Sequence, residues 1–426
     1  MLKCTAVRKD ILVCLLLAVL TALVFYKSFF NFFAQDDFIL INHFSQNPFW
    51  ENLKNVFGYP TVTHWRPLHN FYFLISGPLF GKNYFFYHLL TFGLHIAGSF
   101  FVYKVVMRIL ANEKAAFIAG LLYALSPIHF VSLTWTSGGA TVIGFFFFIT
   151  SFYSYLCKRK ILSIVLFVLS FLASEAMVVG VLIFLVWTMF NKKYFDKFVL
   201  AALGLISLVF SAVRITFLNP GNISASYKLN FSSDDLLALK YYLARIFGVG
   251  EMANWQLKTL LIIWVMGILI LLVNYLRKRR AFENIAFGTF IILVGLFPFV
   301  LIPEHLSGHY MNISVFGLSI TIGILISKAR DYLAWAVVVF FMLISLSSVV
   351  TMGGNHWAVQ RANLAKKYLD NIKSQHLPYG STIIFDDNKI STSKEAYIAL
   401  GTGEAVTFWF NKQYKSCFTF FENCRR

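Results

Sequence analysis

"ILVCLLLAVLTALVFYKSFFNFFAQDDF", residues 11–38, sets the reading of the whole chain. From Ile11 to Ala34 the residues are almost all apolar. At ~1.5 Å per residue, such a run is long enough as a helix to cross a ~30 Å hydrocarbon core. The basic start (Lys3, Arg8, Lys9) followed by an apolar middle has the outline of a signal peptide. The apolar run, however, continues without a small-residue cleavage site where one would fall, so a retained first span is expected. Directly after it stand two adjacent acids, Asp36 and Asp37.

The rest of the chain repeats the apolar theme. Hydrophobic residues make up 58% and charged residues 13%, with 48 phenylalanines among 426 residues, against ~25% charged in soluble domains. Spans are expected near 11–34, 84–110, 115–134, 139–157, 161–174, 176–190, 198–218, 255–276, 284–302, 311–327 and 332–352. The expected fold is thus an all-α polytopic membrane protein of about eleven transmembrane helices, because lipid admits only helices or closed barrels and these runs lack the alternation of barrel strands. The short pair 161–174 and 176–190, broken at Ala173-Ser174-Glu175, suits tilted or partly re-entrant helices.

The formal charge of +18 raises the question of nucleic acid, and its distribution answers it. The cations cluster at every second gap between spans, as at Lys104, Arg108 and Lys114, at Lys158 to Lys160, and at Arg277 to Arg280. This is the positive-inside pattern and not a nucleic-acid face. It places the N-terminus in the cytoplasm and the C-terminus outside, in a multi-pass protein of the inner (plasma) membrane. Three outer segments are long enough to hold structure: 35–83, expected to form interfacial helices; 219–254, opening on the turn-like Asn219 to Asn222; and 353–426, an extracytoplasmic tail. In the tail, "STIIFDDNKI" (381–390) reads as a strand and turn and "EAVTFWF" (404–410) as a second strand, giving a small mixed α/β appendage to a transmembrane domain of residues 1–352. Cys417 and Cys424 are placed to pair if the tail is extracytoplasmic, and spacing alone leaves that open.

Asp36 and Asp37 support two readings. Acids favour a helix N-terminus, and a half-desolvated carboxylate is also a general base. The same loop carries "THWRPLHNF" (63–71), in which Arg66 is a two-pronged donor suited to phosphate and His64 and His69 add donors; an interfacial aromatic and basic belt is the alternative. His129 and Trp135, at an outer span end, suit substrate contacts or the same belt. Glu175, an acid at a membrane-embedded turn, is costly and so expected to be functional; Arg214 either snorkels or meets phosphate. No spacing suits zinc. Two carboxylates without help rarely fix a divalent ion, so no metal is expected.

In register, "QDDFIL", "HWRPLHNFYF", "LLYALSPIHFVSLTW" and "LASEAMVVG" resemble the motifs of the GT-C superfamily of membrane glycosyltransferases over roughly residues 1–330. The nearest branch holds the protein O-mannosyltransferases and the transmembrane tetratricopeptide-repeat mannosyltransferases. The matched positions are Asp36 and Asp37; Arg66, Pro67 and Leu68; Ser126, Pro127, Ile128 and His129; and Ser174 and Glu175. The resemblance implies a GT-C-like bundle. It also implies an outer-loop acid (Asp36 or Asp37) that deprotonates an acceptor hydroxyl, and a sugar on a polyprenyl phosphate as donor. Transfer would occur with inversion and without a cofactor, with Arg66 facing the departing phosphate.

The sequence departs from the pattern in three places. "SGHYMNIS" (307–314) has His309 where an arginine is usual and lacks the following proline; His309, with His305 nearby, would serve when protonated. The lysine of the family's S-K-E segment is missing before Glu175, and no tetratricopeptide repeat is present. The expected donor-phosphate set is therefore Arg66, His64, His309 and Arg214, and the substrate set His69, His129, Trp135 and Glu175. A bacterial envelope glycan such as lipopolysaccharide O-antigen is the expected acceptor. A protein O-glycosyltransferase, and a flippase of lipid-linked sugars, are the alternatives.

Overall fold

The computed structural model describes residues 2–46, 48–58, 64–216, 232–251, 254–277, 283–422 and 424. The turn expected at 219–222 and most of the basic run 277–280 lie outside them. In chain order the helices are α1 (Leu2–Phe25), α2 (Asp36–Gln46), α3 (Phe49–Gly58), α4 (Pro67–Phe80), α5 (Tyr84–Leu110), α6 (Glu113–Ala124), α7 (His129–Thr134), α8 (Ala140–Leu156), α9 (Lys160–Ala173), α10 (Val181–Phe190), α11 (Lys197–Thr216), α12 (Asp234–Ile246), α13 (Trp255–Arg277), α14 (Glu283–Val300), α15 (Asn312–Ile326), α16 (Asp331–Asn355) and α17 (Trp357–Ser374). A short segment follows: β1 (Thr382–Phe385), α18 (Ser393–Ala399), α19 (Glu404–Trp409) and β2 (Lys415–Phe418).

The chain is an all-α polytopic membrane protein. Among the described residues six helices are long and apolar enough to cross a bilayer, and four shorter apolar helices pack with them. The run expected as one span at 115–134 is instead divided: α6 stops at Ala124 and α7 starts at His129. Pro127 explains the break, since it has no N–H to donate and bars its predecessor Ser126 from helical backbone. Between α9 and α10 the chain tightens into a 3₁₀ turn, Glu175–Gly180, at the place where the sequence marked two short neighbours.

One end of the bundle is fastened by ion pairs. Lys9 meets Glu113 at 2.9 Å, Lys104 meets Asp10 at 2.7 Å, Lys114 meets Asp331 at 2.6 Å and Lys160 meets Asp196 at 2.8 Å. The expected interfacial helices, α2 to α4, lie at the other end. On α3, Trp50 and Phe57 are exposed while Asn52 and Val56 are buried, the two-faced pattern of a helix lying on an apolar boundary.

The tail forms one core with the first loop. Phe33, Phe38 and Ile41 are buried together with Ala365, Leu369, Val406 and Phe418. β1 and β2 pair in parallel, Thr382 against Lys415 through Phe385 against Phe418, with α18 and α19 as the crossover that parallel strands require. The stretch 404–410, expected as a strand, is the helix α19 instead. Gly403 enters it in left-handed backbone at φ 100, and the acid of Glu404 falls in the first turn, where the helix dipole favours it. Strand β2 lies further on, and its Cys417 forms a disulfide with Cys424 beyond the strand.

Gly401 sets how closely the tail approaches Asp36. Its φ is +55, and a Cβ there would overlap the carbonyl oxygen of Gln35, while the Gln35 N–H donates to Ala399 O at 3.1 Å. Replacing Gly401 by alanine imposes both left-handed strain and a clash, at a cost of about 1–3 kcal/mol. The expected outcome is a lower thermal unfolding midpoint for Gly401→Ala, with no such drop for Gly204→Ala within α11, where the backbone is helical and a Cβ meets nothing.

Candidate functional site

The first turn of α2 places the two acids in different environments. Successive helical residues are ~100° apart around the axis, so neighbours cannot both face the same way. Asp37 turns inward and is buried. Its Oδ1 accepts from the Ser137 N–H and the Ser137 hydroxyl, both at 2.7 Å, and its Oδ2 accepts from the Ala34 N–H at 3.1 Å. Burial nevertheless pushes its pKa up to about 7, against the pull of those donors. Asp36 turns outward, into a cavity of about 540 Å³.

That cavity is walled by α2, the 64–70 segment, the Thr136–Gly139 turn, the 305–310 loop and the start of α17. Asp36 keeps surface open to the cavity, while protein encloses the carboxylate on its other sides. The resulting desolvation raises its pKa, and the Arg66 and then the Arg361 guanidinium draw it back. Arg66 precedes Pro67, the first residue of α4, so the proline ring fixes the backbone just beyond the guanidinium. Its Nη2 lies 3.3 Å from His64 Nδ1, and its Nε–H has no hydrogen-bond partner among the described residues. Buried donors ordinarily have partners, and this one has none, while the guanidinium as a whole lines the cavity.

Four histidines join them: His64, His69, His305 and His309 all line the cavity. Burial, with the nearby Arg66 charge adding to it, lowers the pKa of each, to about 3 for His69 and His309. His309 is therefore a neutral ring, its Nδ1 2.6 Å from the Ser307 hydroxyl. This corrects the expectation of a protonated substitute for the family's arginine. The rings supply neutral hydrogen-bonding groups at physiological pH.

Glu175 and Arg214 pair with one another, Arg214 Nε donating to Glu175 Oε2 at 3.1 Å, and Oε1 accepts the Trp65 N–H. They line a smaller cavity of about 190 Å³ that shares His64, Arg66, His305 and Tyr310 with the larger one and adds Phe299 and Ile302 as an apolar wall. Trp135 lines the large cavity, with its indole N–H donating to Ala34 O at 3.1 Å and its ring packed on Trp357 at 5.3 Å. His129 is not brought there. It is fully buried, its Nε2 2.9 Å from Tyr123 O and its ring 4.3 Å from His95. Packing within the bundle, following the Pro127 break, accounts for its position.

Sequence reasoning missed Arg361 and Trp357. They sit one turn apart at the start of α17, with the guanidinium 5.3 Å from the indole ring. Gln35, with its amide oxygen turned toward it, accepts from Arg361 Nε at 3.1 Å. Spacing of i and i+4 between an aromatic and an arginine was the available signal. Glu251 was missed as well: its Oε1 accepts the Gly308 N–H and its Oε2 the His356 ring N–H, both at 2.9 Å. His356 Nδ1 then caps α17 by accepting from the Ala358 N–H at 3.2 Å.

No protein-family model and no curated protein matches this chain. Among solved structures, the Archaeoglobus fulgidus oligosaccharyltransferase, tethered by a disulfide to an acceptor peptide containing the NVT sequon, aligns with a TM-score of 0.47 at 12% sequence identity. The alignment covers 96% of this chain and 63% of that one, so this chain spans less than two thirds of the other's length.

The two acids are expected to respond differently to mutation. Asp37→Ala leaves the Ala34 and Ser137 N–H groups buried without an acceptor, at about 1–3 kcal/mol each, and the thermal midpoint falls. With a folded pKa raised from 3.8 to about 7, Asp37 contributes stability that is full below pH ~4 and is lost as pH rises through ~7. Asp37→Asn, which carries no charge, is expected to remove that part of the pH dependence. Asp36→Asn should leave the unfolding free energy within about 0.5 kcal/mol of the parent.

Proposed function

We propose that this chain is a membrane glycosyltransferase that moves a sugar from a polyprenyl-phosphate carrier to an acceptor hydroxyl, with inversion at the anomeric carbon. The observation that carries the reading is the meeting of Asp36 and Arg66 in one cavity, a carboxylate with a raised pKa opposite a guanidinium with an unpartnered donor. In this reaction the acceptor O–H gives its proton to the Asp36 carboxylate as its oxygen attacks the anomeric carbon. The carbon–oxygen bond to the phosphate breaks on the opposite face, and the phosphate leaves with the electron pair. Arg66 stands where that negative charge develops, and such fixed donors give much of the rate enhancement in group transfer. The sugar arrives already activated by its phosphate, so no cofactor is needed.

The smaller cavity, with Phe299 and Ile302 beside Arg66, suits the first isoprene units next to the phosphate. The resemblance in the "QDDF", "RPL", "SPIH" and "SEA" segments agrees with this assignment. With the N-terminus in the cytoplasm, the ion-paired end of the bundle is the inner one and the cavity opens outside. The acceptor class that fits is an envelope glycan such as a lipopolysaccharide O-antigen, with a protein hydroxyl as the second choice.

Purified protein given a labelled polyprenyl-phosphate sugar and an acceptor glycan is expected to form labelled product. Asp36→Asn should reduce kcat by about 10²–10⁴-fold and Arg66→Ala by about 10²–10³-fold. The base works only when ionised, and its pKa is raised. Turnover should therefore fall, as pH is lowered, at a higher pH than an ordinary carboxylate would give. An Asp36→Asn enzyme with parental kcat would overturn the assignment. Sugar lipid crossing vesicles without an acceptor, in both parent and Asp36→Asn, would point to a flippase instead.

A further inference from the structure

Helices α16 and α17 meet at His356, and the bonds of this side chain fix how α17 departs. His356 stands in extended backbone, φ −72 and ψ 142, between Asn355, the last residue of α16, and Trp357, the first of α17. Its ring is buried, 5.3 Å from the Phe130 ring, so each nitrogen needs a fixed partner. Nδ1 accepts from the Ala358 N–H at 3.2 Å, and Nε2 lies 2.9 Å from Glu251 Oε2.

These two bonds select one tautomer. A backbone amide only donates, so Nδ1 must present its lone pair, and the ring proton sits on Nε2, directed at Glu251. An imidazolium, with N–H on both nitrogens, would face the Ala358 amide donor to donor. The other Glu251 oxygen accepts the Gly308 N–H at 2.9 Å. Burial works to raise the Glu251 pKa, but the bonds from His356 and Gly308 outweigh it and hold the group down to about 2, so it is an anion. Glu251 lines neither cavity of the candidate site.

The groups that it fixes do reach the site. Trp357 follows His356 directly, Arg361 comes one turn later with its guanidinium 5.3 Å from the indole, and both line the large cavity. Arg361 is the second of the two guanidiniums that draw down the Asp36 pKa. We propose that Glu251 is a positioning residue: by accepting the Nε2 proton it holds His356 in the tautomer that caps α17, and so sets Arg361 opposite Asp36. The effect on turnover rests on the glycosyltransferase reading, and the tautomer does not.

Glu251→Gln keeps the side chain's size but leaves one acceptor oxygen for two donors. The ring can move its proton and the Gly308 amide cannot, so the ring is expected to yield, taking its proton to Nδ1 and uncapping α17. Nitrogen-15 NMR of the full chain labelled at histidine, with the His356 signals assigned by their loss in His356→Asn, tests this: Nε2–H in the parent, Nδ1–H in Glu251→Gln. The kcat for sugar transfer should fall about 10–10²-fold in Glu251→Gln. The acid limb of its pH profile should move up as it does in Arg361→Ala, since Arg66, the four neutral histidines and Asp37 still surround Asp36. In an Arg361→Ala background Glu251→Gln should lower kcat no further. Adding His356→Asn to Glu251→Gln, which supplies a cap with no tautomer to select, should restore most of the loss. A parent ring protonated at Nδ1, an unchanged tautomer in Glu251→Gln, or an equal fall in kcat in the Arg361→Ala background would overturn the proposal. The parent tautomer decides even where Glu251→Gln fails to fold. A parent with no transfer activity would overturn the glycosyltransferase reading alone, and the two tautomers then decide this one.

Discussion

Three buried or half-buried carboxylates hold the cavity together, each by accepting a backbone N–H from a distant part of the chain. Asp37 takes Ser137, Glu175 takes Trp65 and Glu251 takes Gly308. The cavity walls are turns and 3₁₀ segments, and their amides have no ladder or helix to donate to. At the edge of an apolar bundle water cannot be counted on to replace those partners, so every such amide needs a fixed acceptor. A carboxylate provides two oxygens; in Glu175 and Glu251 the second joins a further element through Arg214 and His356, and in Asp37 it caps the chain entering α2 at Ala34. The site is thus assembled by polar clasps, while the apolar cores on either side supply the bulk of the packing.

The clasp at Asp37 explains why adjacent acids behave differently. Once Asp37 is fixed on Ser137, helical geometry leaves Asp36 pointing toward the space between Arg66 and Arg361. Asp36 has carboxylate chemistry without a structural duty, and Asp37 has a structural duty and no access to the cavity. A pair that looks redundant in one dimension is divided by the 3.6-residue period in three.

The all-helical bundle and the helices of the first loop were legible in the sequence, and Asp36, Arg66, His64, His69, Trp135 and His309, each singled out there, line one cavity in the structure. Apolar run length and the aromatic, basic loop between spans carried that information. What was not legible depended on contacts between residues far apart in the chain. Arg361 and Trp357 lie in a polar helix whose surface-like composition gives no hint that its first turn reaches the cavity; the Glu251–His356 cap and the Gly401 approach put it there. His129 was misplaced because a histidine after a proline at a span end looks the same whether it faces a cavity or packs against His95. The strand expected at 404–410 failed because β-branched and aromatic composition was outweighed by the left-handed Gly403 and the acid at the helix start.

Charge balance gives the last link between architecture and the proposed chemistry. Glu175 and Arg214 neutralise one another, and the four histidines are held neutral by burial and by Arg66. What is left facing the cavity is Asp36 against Arg66 and Arg361, one negative charge against two positive. For the proposed donor, whose phosphodiester carries a single negative charge, the balance closes on binding. A diphosphate-linked donor would bring more negative charge than the two guanidiniums and the ionised base can accommodate, and would raise the Asp36 pKa further by like-charge repulsion. The same arithmetic gives Arg361 its place in the proposal: Arg66 and then Arg361 offset Asp36, and only with the second guanidinium does a positive charge remain for the leaving phosphate.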